Sequence, residues 1–327
     1  MRRRFATLAG WILAALAFAA AAPAAAADPS KVYRIAFPVA ETGFDPARVS
    51  DLYSNTVNEA IFERLLTYDY LARPAKLVPL VAEAMPQVTD NGRVYTFRLR
   101  KGIFYTPDPA FKGKPRELVA GDFAYVIKRH ADPKNRSPWA FMVEGKIEGL
   151  DALVAQAKKT GKFDYDAKIP GLETPDPHTL VVRLVAPDYL FNYTVAHVPY
   201  GAMAREVVEA YGDDIGAHPV GTGPYVLAEW KRASRIVLEA NPAYRGFTWD
   251  FASTEPADAA VIREMKGKSM PQVGRVEISI IEEDQARLLA FQNGEIDIMN
   301  MEGPLAPKVL DGANLRPEMK AKGVKLS

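Results

Sequence analysis

The sequence predicts a mixed α/β fold, and three stretches carry that prediction. Tyr225–Lys231 and residues 235–239 are apolar runs set between the tight turns Gly221-Thr222-Gly223-Pro224 and Asn241-Pro242, the pattern of a β-hairpin. Tyr95, Phe97 and Leu99 alternate with Thr96, Arg98 and Arg100 behind Asn91-Gly92, which reads as a type I′ turn feeding a strand with one buried face. Residues 276–281, the amphipathic run Asp284–Gln292, the stop Asn293-Gly294 and residues 295–299 read as strand, helix, cap and strand, a βαβ unit with a right-handed crossover. Gly221 and Gly223 are read as positions that permit positive φ, and Pro224 as fixing the entry to the next strand.

Taken from the start, Arg2, Arg3 and Arg4 precede an alanine- and leucine-rich run over residues 8–22, then Pro23 and an Ala-x-Ala ending at Ala25 and Ala27. A positive start, a short apolar stretch and small residues describe a secretory signal peptide over residues 1–27, cleaved after Ala27. The apolar run is short for a membrane span of about 20 residues. The Arg-Arg-Arg-Phe start also loosely resembles a twin-arginine signal, so Sec and twin-arginine export both stay open. Removing residues 1–27 takes the formal balance from +1 to −2, and an exported, near-neutral chain suits the periplasm. With 41 basic and 40 acidic residues there is no field to attract nucleic acid. No cysteine is present, which excludes disulfides, thiolate catalysis and cysteine-ligated metal.

Residues 31–39 read as the first strand of the mature protein. Leu52, Val57, Ala60, Ile61, Leu65 and Leu66 then recur at helical spacing, with Ser50 or Asp51 placed to cap the helix. Phe123, Val126, Ile127 and His130 form one helical stripe over residues 122–130; the helix dipole favours His130 as imidazolium at the C-terminal end, and structural packing is its main expected role. Residues 155–170, rich in Lys, Gly and Asp, read as a solvated connector. Pro175-Asp176-Pro177 is a turn before a β-branched strand over residues 179–185. A helix over residues 204–211 ends at Gly212, and residues 247–274 read as charged and irregular.

No catalytic constellation stands out. His130, His178, His197 and His218 lack the spacing of a helical zinc pair, and there is no Gly-x-Ser-x-Gly run. Gly221-Thr222-Gly223 lacks the lysine of a phosphate loop and precedes a strand. Acid pairs such as Asp213-Asp214 and Glu282-Glu283 are candidates for hydrolase carboxylates, but adjacent acids of this kind usually face water.

Three of these stretches together resemble the solute-binding proteins of ABC importers, family 5, the peptide- and nickel-binding type. They are GTGPY with IVLEANPAY, the run AEAMPQVTDNGRVYTFRLRKGIFY, and the helix that ends in Gly-Glu-Ile-Asp. The resemblance implies a periplasmic binding protein-like fold of type II: a first lobe from residues 28–75 and 186–327, with an inserted subdomain at 76–185 and the second lobe largely or wholly absent. It places Ser50, Asp51, Leu52 and Tyr53 on the ligand cleft, along with Trp139 after Ser-Pro; capping and packing are the alternative roles. It implies a monomeric, non-enzymatic binder that takes peptides or related small solutes, delivers them to the transmembrane permease subunits and needs no cofactor or metal. If each lobe carries half of a micromolar affinity, about 8 kcal/mol falls to about 4, near millimolar. A secreted acid-residue hydrolase and a truncated non-binding remnant are the alternatives.

Overall fold

The computed structural model describes residues 27–301 and 303–326, so the expected signal peptide lies outside the described residues except for Ala27. The chain opens with β1 (Asp28–Phe37), crosses a loop to α1 (Leu52–Ile61), and forms the small hairpin of β2 (Leu66–Tyr68) and β3 (Leu77–Pro79). It continues with β4 (Gln87–Thr89), β5 (Val94–Arg98), α2 (Ala120–Ala131), α3 (Leu150–Thr160), β6 (Leu172–Asp176) and β7 (Thr179–Arg183). Two short helices, α4 (Phe191–Ala196) and α5 (Arg205–Tyr211), lead to β8 (Tyr225–Lys231) and β9 (Arg235–Ala240). Then come β10 (Phe247–Thr248), α6 (Ala259–Met265), β11 (Ser269–Met270), β12 (Val273–Ile280) and α7 (Asp284–Gln292). No described helix is long and apolar enough to cross a membrane.

Two four-stranded sheets organise these elements. The first has the order β1-β12-β9-β8, with β1 parallel to β12 and the other pairs antiparallel. The second, β4-β5-β7-β6, is wholly antiparallel. One apolar core joins them, running from Phe37, Ile236 and Ile278 through Val57 and Ile61 of α1 to Tyr95, Phe97 and Val182. The alternation read in β5 therefore does face this core, and Thr96 and Arg98 lie on the less buried side.

The hairpin of β8 and β9 forms as the sequence indicates, but its glycines serve a different purpose. Neither Gly221 nor Gly223 has positive φ. They are needed because the backbone at the end of α1 presses on them: a Cβ on Gly221 would sit 1.9 Å from the Ile61 carbonyl oxygen, and one on Gly223 2.6 Å from that of Ala60. The Gly223 amide donates to the Ile61 oxygen at 2.8 Å, and Asn241 closes the turn by donating its side-chain amide to the Gly223 oxygen, also at 2.8 Å. Between them, Thr222 donates to the buried carboxylate of Glu63 at 2.9 Å, and Arg245 clamps the same carboxylate at 2.6 and 2.7 Å. The turn thus fastens the first sheet to α1.

Several local readings change. Asn91 and Gly92 do sit in left-handed conformations, but Asp90 joins them, and four residues rather than two separate the paired Thr89 and Val94. The expected connector is helical up to Thr160, because Leu150, Leu153, Val154 and Ala157 share a buried face beneath the lysines, and Gly161 caps the end at φ 74°. Residues 295–299 form no strand. Asp297 meets the free edge of β1 with one backbone bond to the Arg34 oxygen at 2.8 Å, but its carboxylate takes the Arg34 amide at 2.7 Å and stops the ladder. The parallel partner of β1 is β12.

His130 is fully buried rather than dipole-stabilised at a wet helix end. Its Nε2 lies 2.8 Å from the Pro199 oxygen and its Nδ1 2.7 Å from Ser137 Oγ. Burial pushes the imidazole down to about 4, so it is neutral at pH 7, with Nε2–H donating and Nδ1 accepting.

Candidate functional site

The loop between β1 and α1 is held from below by charge. Asp45 and Arg129 form a buried bidentate pair at 2.8 and 3.0 Å, tying the loop to α2. Burial alone would raise the Asp45 carboxyl, but the Arg129 guanidinium and the Ala47 amide outweigh it and hold the group below the usual range. Glu41, also buried, accepts from Trp230 Nε1 at 2.6 Å and from the Ala233 amide at 3.0 Å, which anchors the other end of the loop to the β8–β9 turn.

On this support α1 begins. Asp51 is its N-cap: Oδ1 accepts from the Ser54 amide at 2.7 Å and Oδ2 from Thr42 Oγ1 at 2.6 Å. Burial opposes ionisation here as well, and the Thr42 and Ser54 bonds override it to keep the carboxyl low. Ser50 is exposed, Leu52 leaves 70% of its surface open, and Tyr53 packs on Phe37 with ring centres 4.8 Å apart.

Trp139 arrives from a distant part of the sequence. Its Nε1 donates to the Val49 oxygen at 2.8 Å, which places the indole beside residues 50–53. Tyr200 donates to the Trp139 oxygen at 3.0 Å, and the His197 ring lies 4.5 Å from the indole. The five residues singled out from the sequence therefore share one edge. His197 joins it unannounced, because a lone histidine carries no spacing signal. Burial, then the nearby Arg64, lower the His197 imidazole, favouring its neutral form. The edge offers rigid aromatic and apolar surface, and the one acid in it is already committed to capping, an arrangement suited to holding a ligand rather than moving protons.

One member of each acid pair is likewise occupied, and Glu282 faces solvent. Glu283 caps α7 by accepting from the Ala286 amide at 2.7 Å, and Asp213 pairs with Arg48 at 3.0 Å.

Residues 76–322 match the bacterial extracellular solute-binding proteins, family 5 Middle. The chain belongs to this family. It is 32% identical over 213 residues to the periplasmic oligopeptide-binding protein OppA of Salmonella typhimurium, covering 64% of this chain and 35% of that one. With the di/tripeptide-binding protein 2 of Pseudomonas aeruginosa it shares 26% identity over 314 residues, covering 93% and 50%. A substrate-binding domain of an oligopeptide ABC transporter from Bacillus anthracis superposes with a TM-score of 0.67 at 22% identity, covering 86% of this chain and 48% of that chain. The family 5 chain thus has the mixed α/β fold of these binding proteins and spans half the length, or less, of the relatives it matches.

Proposed function

We propose that this family 5 chain is the solute-capturing component of an ABC importer, works in the periplasm, and passes peptides or related small solutes to the permease. The edge formed by Ser50, Asp51, Leu52, Tyr53 and Trp139 is its ligand-facing surface. The observation that carries this reading is the Trp139 Nε1 bond to the Val49 oxygen, which gathers two distant segments onto one apolar edge. The relatives are named for oligopeptides, di- and tripeptides and glutathione, which supports peptides as the first ligand class. Residues 28–75 and 186–327 form one lobe and residues 76–185 an inserted subdomain; in support, the first sheet draws its strands from 28–37 and 225–280 and the second from 87–183.

An open edge that covers one side of a ligand supplies about half of a micromolar interaction, so the Kd for di- to pentapeptides is near millimolar. The test is calorimetry on Leu52→Asp. Losing one buried leucine contact costs about 2 kcal/mol, more than ten-fold in affinity. An acid in the first turn of α1 suits the helix dipole, so the Tm is expected to hold. Unchanged peptide affinity in a folded Leu52→Asp protein would refute the assignment of this edge.

A further inference from the structure

A second surface is left unused by the peptide-facing edge. A cavity of about 840 Å³ opens where the β2–β3 connection, Met85, the residues leading into α4 and residues 252–255 meet. Its lining shares no residue with the peptide-facing edge. α1 starts at the peptide-facing edge and runs ten residues, about 15 Å, before the chain turns into β2. On α4, Tyr193 borders the cavity one helical turn before His197, the helix cap that packs against Trp139.

The aromatic side chains here are fixed without being covered. The Tyr189 ring lies where a Cβ on Gly92 would meet it at 3.0 Å, and its hydroxyl donates to Asn91 Oδ1 at 2.9 Å. Tyr193 packs 6.3 Å from Tyr68, and Tyr70 is set against Trp249 and Phe251 at 6.3 and 6.0 Å. All four tyrosines remain exposed. Rings already held in place lose little freedom when a ligand stacks on them.

The charges around the cavity oppose each other. Arg73 is committed to Asp258 at 2.6 Å and to the Leu71 oxygen at 3.2 Å, while Lys76 and Glu255 line the same space with opposite signs. A strong anion would meet Glu255, and a cation would meet Arg73 and Lys76. A purely apolar ligand would strip water from Asn192, Thr254 and Lys76 without replacing it. What fits is a neutral molecule with apolar faces and many hydroxyls. We propose that this cavity is a saccharide site, with the C–H faces of the sugar on Tyr189 and Tyr193 and its hydroxyls served by Asn192, Thr254 and Lys76.

The site does not depend on the peptide-facing edge, and the test separates the two. Saturation-transfer NMR and calorimetry on the full chain would use cellotetraose, maltotetraose and chitotetraose as probes. At least one is expected to bind with a Kd of about 0.1 to 1 mM. Tyr193→Ala is expected to weaken it about ten-fold, whereas Tyr193→Phe, which keeps the ring, retains it. Thr254→Val, at an exposed position, weakens it about three-fold and stands in if Tyr193→Ala melts early. Leu52→Asp leaves sugar binding intact while it removes peptide binding. No transfer from any probe at about 10 mM overturns the proposal. So does undiminished binding in folded Tyr193→Ala or Thr254→Val, or displacement of the sugar by a tripeptide, which would make the cavity a peptide or protein contact.

Discussion

Gly221→Ala tests how the hairpin is joined to the rest of the fold. The new methyl carbon would stand 1.9 Å from the Ile61 oxygen and 2.7 Å from its carbonyl carbon, both backbone atoms at the end of α1. An ordinary contact lies beyond 3 Å, so the two backbones must part by about 1.3 Å. That separation loosens the Gly223 bond to the Ile61 oxygen and the Thr106 bond to the Gly221 oxygen, at 2.8 and 3.0 Å, and draws Thr222 from the buried Glu63. Two or three hydrogen bonds at about 1 kcal/mol each, with overpacking of 1 to 3 kcal/mol, give a loss of about 3 to 6 kcal/mol. Urea unfolding followed by tryptophan fluorescence measures it. Gly216→Ala is the control: its φ is not positive and its Cβ would meet only ordinary contacts, 3.7 Å from the Phe44 nitrogen at the nearest, so it is expected to cost less than about 1 kcal/mol. A Gly221→Ala protein within about 1 kcal/mol of the parent would show that the close approach is not what fixes glycine there.

Two further predictions concern buried charge. Arg129→Met leaves the buried Asp45 with only Arg48 as a charged partner, at 3.4 Å, and is expected to cost about 3 kcal/mol in urea unfolding, much of it recovered by adding Asp45→Asn. His130 has a folded pKa of about 4 against 6.5 for the free side chain. The unfolded chain therefore binds the extra proton first, so this contribution is complete above pH 6.5 and is lost as pH falls toward 4. At about 1.4 kcal/mol for each factor of ten in proton affinity, the loss reaches about 3 kcal/mol. The depressed carboxylates, Asp45 and Asp51 among them, add to it only below about pH 4, as those groups protonate. A urea midpoint that stays flat between pH 6.5 and 4.5, or a slope unchanged in His130→Gln, would contradict the buried neutral imidazole.

Sequence reasoning succeeded where local chemistry and tertiary structure agree. The alternation of Tyr95, Phe97 and Leu99 and the paired turns around β8 and β9 survive because period and turn residues are local properties. The gathering of Trp139 onto residues 50–53 was available only through family resemblance, because nothing local connects an indole to the Val49 carbonyl 90 residues away. The misreadings have the same origin. Lys158 and Lys159 hid a helix whose buried face was already spaced correctly, and Gly221 looked like a φ residue because the end of α1 that crowds it lies far back in the chain. His130 packs in the core as its stripe indicates, but the core and the Pro199 carbonyl, not the dipole of its own helix, decide its charge.

The central claim, that the edge at residues 50–53 and Trp139 faces the ligand, is tested most directly by following the tryptophan indole N–H signals in ¹H–¹⁵N spectra during titration with a tripeptide. The Trp139 signal is expected to move while that of Trp249, beside Tyr70, stays in place, and the movement is expected to vanish in Leu52→Asp. A Trp139 signal that stays still while other resonances respond, or one that moves equally in Leu52→Asp, would contradict the claim.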